Sequence, residues 1–205
     1  GGSDGGVHYS TNGGFNWTRF LNMDNTQFYA ITLDPNNPER LYGGTQDNGT
    51  MRTLTGSLGD WEEIYGGDGF YCLVDYTNPD IIYAESQYGN LGKSIDGGDT
   101  FFSATSGIDP GDDEPHGWNT PIEMDQNDPT ILYYGTDRVY KTTDGALNWS
   151  AISPGLSSGY LTTIASAKSD GLVVYAGART GEVFVTTDGG GTWTDIGGSL
   201  PDRWI

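Results

Sequence analysis

One turn is written into this chain at nearly fixed intervals. STNGGFNW starts at Ser10, SIDGGDTF at Ser94, TTDGALNW at Thr142 and TTDGGGTW at Thr186. A worn copy, LTGSLGDW, runs from Leu54 to Trp61 and places Gly56 where the others carry Asp or Asn. Counted on the closing aromatics Trp17, Trp61, Phe101, Trp149 and Trp193, the spacings are 44, 40, 48 and 44 residues. Strand-rich units repeating every ~40 to 50 residues build propeller blades or a related array.

The rest of each period agrees. FYAITLDPNNPERLYGGT, FYCLVDYTNPDIIYAES, PIEMDQNDPTILYYGT and LTTIASAKSDGLVVYAGA each read as apolar strand, polar turn, then apolar strand ending in Tyr plus small residues. A third strand follows (GVHYS, GTMRT, LGKS, RVYKT, EVFVTT), then the glycine turn, then a fourth strand opening at the aromatic. The turns carry the Asn, Asp, Gly and Pro that antiparallel hairpins require. With 33 glycines and no sustained helical period, the chain reads as all-β. The expected architecture is a single β-propeller region over 1–205 made of four-stranded antiparallel blades. Residues 1–20 supply the last two strands of one blade, 28–64, 70–104, 120–153 and 161–196 form four complete blades, and 197–205 start another. On this reading the chain is a piece of a larger propeller and part of a longer chain or assembly.

The turn motif resembles the Asp-box, or BNR, repeat, S/T-x-D-x-G-x-T-W. The chain is similar to the Asp-box propellers of sialidases, family 74 glycoside hydrolases, sortilin-type receptors, a photosystem assembly factor and secreted bacterial repeat proteins. What the resemblance implies is a fold whose members catalyse, bind or scaffold, with the boxes on the blade periphery, away from the ligand. The atoms support a structural role. Carboxylates at Asp96, Asp144 and Asp188, and the amide oxygen of Asn12, can accept N–H bonds across the turn, while Trp17, Phe101, Trp149 and Trp193 pack over the hairpin. Gly56 predicts a lost acceptor and a softer blade.

If the boxes are staples, the working face belongs to the interblade loops and the loops between second and third strands. Those loops nominate Gln46, Asp47, Asn48, Gln87, Tyr88, Asp137, Arg138 and Arg179 as ligand-binding residues. Aromatics stand before each first strand at Phe28, Phe70, Trp118, Tyr160 and Trp204, spaced 42, 48, 42 and 44 residues apart. Either they fill the seams between blades or they form a stacking platform, in which Trp118 and Tyr160 touch ligand. The long acidic loop SGIDPGDDEPHGWN offers Asp109, Asp112, Asp113 and Glu114 as oxygen ligands, so calcium is the one cofactor considered, although the spacing is not that of an EF-hand.

Charge and composition exclude several classes. A formal charge of −19, with three lysines and six arginines, opposes nucleic acid and anionic membranes. No stretch approaches the ~18 apolar residues of a membrane span, and Cys72 has no partner for a disulfide within the chain. A sialidase needs converging arginines, and only Arg138 and Arg179 occupy suitable loops. A family 74-like hydrolase needs two facing carboxylates; Asp4, Asp47, Asp68 and Asp137 are candidates by loop position alone. The expectation is therefore a secreted or cell-surface binding or structural module whose partner is a glycan or an extracellular protein. The alternative is a catalytic glycosidase fragment.

Overall fold

The computed structural model describes residues 1–3, 6–20, 26–108, 116–198 and 200. Its strands pair in chain order, each with the next, so every sheet is a meander. The first sheet comprises β1 (Gly2–Ser3), β2 (Gly6–Tyr9) and β3 (Thr18–Arg19), one strand more than expected at the amino end. Four four-stranded antiparallel sheets follow. They are β4 (Phe28–Asp34), β5 (Asn37–Thr45), β6 (Gly49–Thr53) and β7 (Glu62–Tyr65); β8 (Cys72–Val74), β9 (Ile82–Ser86), β10 (Asn90–Ser94) and β11 (Phe102–Ser103); β12 (Ile122–Met124), β13 (Leu132–Gly135), β14 (Val139–Thr142) and β15 (Ser150–Ala151); and β16 (Leu161–Ala167), β17 (Asp170–Ala178), β18 (Val183–Thr186) and β19 (Thr194–Asp195). They are called blades one to four below. Among the described residues the only helical element is a 3-10 turn at Gln87–Gly89, and no helix is long and apolar enough to cross a membrane.

The core lies in the seams between sheets. Tyr42, Cys72, Val74 and Ile82 fill the space between the first and second blades. Leu91, Met124, Leu132, Tyr134 and Trp149 belong to the cluster between the second and third. Val139, Leu161, Ile164 and Val174 close the next seam. A two-sided sheet can bury its apolar side chains only against a neighbouring sheet, and these seams supply that neighbour. Polar clamps fix the register. In the first hairpin of each of the first three blades a buried Asp caps the turn: Asp34 Oδ1 accepts Asn36 N at 2.8 Å, Asp75 Oδ1 accepts Thr77 N at 2.7 Å, and Asp125 Oδ1 accepts Asn127 N at 2.7 Å. The neighbouring amides then reach across the seams, Asn36 Nδ2 to Tyr76 O at 2.9 Å and Asn127 Nδ2 to Lys168 O at 3.1 Å.

The repeated turn has one geometry. Ser94 Oγ donates to Asp96 Oδ1 at 2.7 Å and accepts Gly98 N at 2.9 Å. The other side of the Asp96 carboxylate accepts Thr100 Oγ1 at 2.6 Å, and its Oδ1 accepts Thr100 N at 2.9 Å. Thr142, Asp144 and Asn148 repeat this arrangement, as do Thr186, Asp188 and Thr192. In the first sheet Asn12 Oδ1 accepts Asn16 N at 2.9 Å. These bonds hold Asp96, Asp144 and Asp188 down at about 2, below the ordinary 3.8, chiefly through Thr100, Asn148 and Thr192 respectively.

The worn copy corrects an expectation. Counted from the end of β6, Thr55 occupies the acid position, the turn is one residue longer, and the carboxylate has moved to Asp60, just before Trp61. Asp60 Oδ2 accepts Thr55 Oγ1 at 2.8 Å, Thr55 N at 2.9 Å and Leu54 N at 3.0 Å. Hydroxyl and carboxylate have exchanged ends, and Gly56 leaves no acceptor missing.

The turns also join the blades. Arg52 Nη1 donates to Gly97 O, and Lys93 Nζ donates to Gly145 O at 2.6 Å, each cation reaching from one blade to the turn of the next. Trp149 Nε1 donates to Ala104 O at 2.7 Å and Trp193 Nε1 to Ile152 O at 2.9 Å, each tryptophan reaching back to the preceding blade.

Two outcomes are expected. Because Asp96, Asp144 and Asp188 are depressed in the fold, their contribution is complete above the unfolded value of 3.8 and is lost as pH falls through about 2. Acid titration followed by circular dichroism should show stability falling across that window, and the triple Asp→Asn variant should flatten the slope. Trp149→Phe orphans the Ala104 carbonyl and opens a void at a residue that is 4 % exposed. It should cost about 2 to 3 kcal/mol in denaturant unfolding.

Candidate functional site

The loops between second and third strands and the interblade loops meet on one face. Gln46 N donates to Gln27 O at 2.9 Å, Tyr88 N to Trp118 O at 3.2 Å, Leu156 N to Asp137 O at 2.8 Å and Arg179 N to Tyr160 O at 3.0 Å. All eight nominated loop residues and both nominated aromatics therefore lie at this rim.

On the side of the first two blades, the buried Asp68 ties three loops together. Its Oδ1 accepts Asp47 N at 2.6 Å and its Oδ2 accepts Gln87 Nε2 at 2.9 Å. Asn48 Nδ2 donates to Gln46 O at 2.9 Å, bracing the Asp47 turn from within. Asp47 and Tyr88 both hold left-handed backbones, φ 61° and 58°. For Asp this is a mild departure; for an aromatic it costs on the order of 1 kcal/mol. Neighbouring bonds hold it there: Tyr88 N donates to Trp118 O, and the carbonyl of Gly89 accepts Tyr134 Oη at 2.8 Å.

The rings form a row. Tyr29 lies 4.8 Å from Phe70, Phe70 6.0 Å from Trp118, and Trp118 5.0 Å from Tyr88, the last two contacts edge-on. Phe70 is buried beneath, while Tyr29, Trp118 and Tyr88 are 41 %, 43 % and 62 % exposed. Tyr29 escaped the sequence reading because it sits at a bulge. β4 pairs Phe28 with Thr45 and Ala30 with Gly44, leaving Tyr29 as the extra residue turned outward.

The evenly spaced aromatics do not share one structural position. Phe28 lies in β4 opposite Thr45, whereas Phe70 precedes β8 and donates its amide to Glu85 O at 3.0 Å. The fourth blade opens with Leu161 opposite Ala178 and the third with Ile122 opposite Tyr134, so Tyr160 and Trp118 stand outside the strands. Phe28 packs on Trp61 at 5.6 Å and Phe70 fills a seam, whereas Trp118 faces outward.

Toward the fourth blade the face is polar. Arg138 Nε donates to Asp137 Oδ1 at 3.1 Å, the Arg179 guanidinium lies 5.3 Å from the Tyr160 ring, and the Ser157 and Thr180 hydroxyls are 2.8 Å apart. A cavity of about 510 Å³ opens separately between the first sheet and the first blade, lined by Arg19, Phe28, Met51 and Trp61 among others.

The solved structures that resemble this arrangement decide its architecture. An ancestral GH74 enzyme superposes with a TM-score of 0.73 at 22 % identity, covering 97 % of this chain and 29 % of its own. YCF48 from Cyanidioschyzon merolae superposes at 0.58 and 14 % identity, covering 83 % and 56 %. The fold is that of a β-propeller. In sequence, a xyloglucanase of Hypocrea jecorina (strain QM6a) is 28 % identical over 253 residues, 95 % of this chain and 30 % of the relative. The chain thus spans about a third of the length of that curated relative. No protein-family model matches it.

Among the described residues, two carboxyl groups lie above their ordinary range. Burial pushes Glu85 well up, against the pull of its bonds from Thr120 N and Tyr71 N, and burial raises the half-buried Glu123. Glu85 is fully enclosed, so it cannot touch a ligand on the rim. No group of three or more metal-ligating side chains occurs among the described residues. Asp109, Asp112, Asp113 and Glu114 lie outside the described residues, as do Asp4 and Trp204.

If Tyr88 is held in its conformation to present its ring, removing the ring should not weaken the fold. Tyr88→Gly is expected to leave the unfolding free energy unchanged or raise it by up to about 1 kcal/mol. A clear loss in denaturant unfolding would instead make Tyr88 a packing residue.

Proposed function

We propose that this chain is a carbohydrate-binding propeller module of the Asp-box type, exported from its cell, which holds a β-glucan-type polysaccharide of the xyloglucan class along the Tyr29–Trp118–Tyr88 row. The observation that carries the reading is that row: three exposed rings over a buried fourth, with a strained backbone maintained under the outermost. Sugar rings present apolar faces ringed by hydroxyls. Aromatic rings with flanking amides and carboxylates, here Gln46, Asp47, Asn48 and Gln87, match that chemistry by combining apolar contact with hydrogen bonding. The likeness to a xyloglucanase supports the choice of polysaccharide.

Binding is preferred over hydrolysis because of what the carboxylates already do. Asp68 is engaged by Asp47 N and Gln87, and Asp137 is paired with Arg138. Of the two carboxyls that burial raises, as a general acid needs, Glu85 is sealed in the seam and Glu123 lies mid-strand in β12 against the Ser166 hydroxyl. The same xyloglucanase likeness favours the second reading, a glycosidase part in which Asp47 and Asp137 would be the first residues to replace.

Affinity electrophoresis of the purified chain in xyloglucan gels should show retardation, with no reducing ends released. Trp118→Ala should weaken binding by roughly tenfold or more, the scale of an aromatic anchor. Release of reducing ends would establish the glycosidase reading, and absence of any retardation would sink both.

A further inference from the structure

The blades repeat one another closely enough for an exception to stand out. Across the second hairpin Gly44 pairs with Thr50, Gly135 with Val139 and Gly177 with Val183; in the second blade the residue in that register, paired with Leu91, is Glu85. Glycine is required at the first two positions because the next blade lies directly on the backbone. A Cβ at Gly44 would come within 2.1 Å of the Phe70 carbonyl oxygen, and one at Gly135 within 3.0 Å of Ile164 Cδ1 and 3.2 Å of Leu161 Cβ. The second blade places a charged-type side chain in the same seam and buries it completely.

The carboxyl has a specific partner there. Glu85 Oε1 accepts Thr120 N at 2.7 Å, and Oε2 accepts Tyr71 N at 3.4 Å. In the second blade the amide corresponding to Thr120 N is Phe70 N, and it bonds within its own sheet to the Glu85 carbonyl at 3.0 Å. Thr120 instead donates across the seam to the Glu85 side chain. Thr120 Oγ1 then donates to Gly117 O at 3.2 Å, closing the short turn that carries Trp118. Tyr88 follows Glu85 by three residues on the same strand end, and its amide bonds Trp118 O. Glu85 is thus the node joining the segments that present the two most exposed rings of the row.

We propose that Glu85 is a positioning residue for the ligand face: by pinning Thr120 across the seam, its buried side chain sets Trp118 against Tyr88 in a single arrangement. A glycine, as in the other blades, gives the turn no acceptor and lets the next blade settle onto the backbone. The proposal rests on the binding reading for its purpose, but its geometry is testable without any ligand.

The test uses the whole chain labelled with 5-fluorotryptophan. The Trp118 fluorine signal is assigned with Trp118→Phe, and affinity for xyloglucan is measured in parallel. Glu85→Gln keeps an acceptor for Thr120 N; it should leave the Trp118 signal in place and affinity within about twofold. Glu85→Leu fills the space without an acceptor, and Glu85→Gly copies the other blades; whichever folds should shift or broaden the Trp118 signal, leave those of Trp149 and Trp193 unchanged, and weaken binding about tenfold. An unmoved Trp118 signal in Glu85→Leu, or equal damage from Glu85→Gln, overturns the proposal. Loss of the Trp149 and Trp193 signals in both the Leu and Gly variants also overturns it, because Glu85 would then hold the fold and not the pair. If Trp118 moves as expected while the unaltered chain binds no xyloglucan, the positioning stands and the binding reading falls.

Discussion

The fold depends on a carboxylate that closes a turn and stays ionised almost wherever water is present. Asp96, Asp144 and Asp188 are exposed, yet each gathers hydroxyl and amide donors tightly enough to keep its charge down to about pH 2. A rigid turn matters because other blades use it as a fixed point. Its carbonyls at Gly97 and Gly145 receive Arg52 and Lys93 from the blade before. The tryptophans that close the turns at Trp149 and Trp193 donate back to carbonyls of the blade before. The seam between the second and third blades is therefore clamped at its outer edge in both directions and the seams on either side of it in one, while apolar side chains fill them further in. The exchange of Thr55 and Asp60 in the worn copy, and the Asp144–Asn148 pair, show that what spans the turn is a carboxylate facing a side-chain donor, whichever end supplies the charge.

With the edges clamped, the opposite face is free to depart from the repeat, and its departures coincide with its chemistry. Trp118 stands outside the strand pattern and Glu85 replaces a glycine, while the bulge that turns out Tyr29 recurs at Thr162 and the left-handed turn at Tyr88 recurs at Asp47. Local rules are usually broken where a protein works, because the surrounding structure can offset a small local cost to place a side chain. Two such departures touching one row of rings form a stronger pointer than either alone.

How much of this the sequence discloses follows from the range of each interaction. The turns are legible because hydroxyl, acid, glycine and aromatic all fall within eight or nine residues, so the motif carries its own geometry. The sheets are legible because each strand pairs with its sequence neighbour. The aromatic series misleads because its members are dated from interblade loops of unequal length: similar spacing along the chain put Phe28 in a strand, Phe70 two residues before one and Trp118 four residues before one. Tyr29 is hidden because a bulge is decided by pairing, which composition does not record. Thr55 and Asp60 are visible in TLTGSLGDW, but counting back from Trp61 rather than forward from β6 put Gly56 at the acid position. Glu85 is the plainest missed signal. Aligned with YGGT, YYGT and YAGA, the phrase YAES shows an acid among small residues, and reading those endings as merely small passed over it.

The same exception bears on whether the face binds or cleaves. A hydrolase of this architecture needs a carboxyl kept neutral by its surroundings and open to the substrate. Burial in this seam meets the first requirement at Glu85 and denies the second, since the enclosure that raises its pKa also shuts out a glycosidic oxygen. Two carboxylates at the rim are held by neighbouring groups. Asp68 organises Asp47 and Gln87, and Asp137 is neutralised by Arg138, so each is committed to shaping the face. In this chain the cations Arg52 and Lys93 hold the blades together at the outer turns, Glu85 does so within a seam, and the rim combines its rings and amides with carboxylates held by their neighbours.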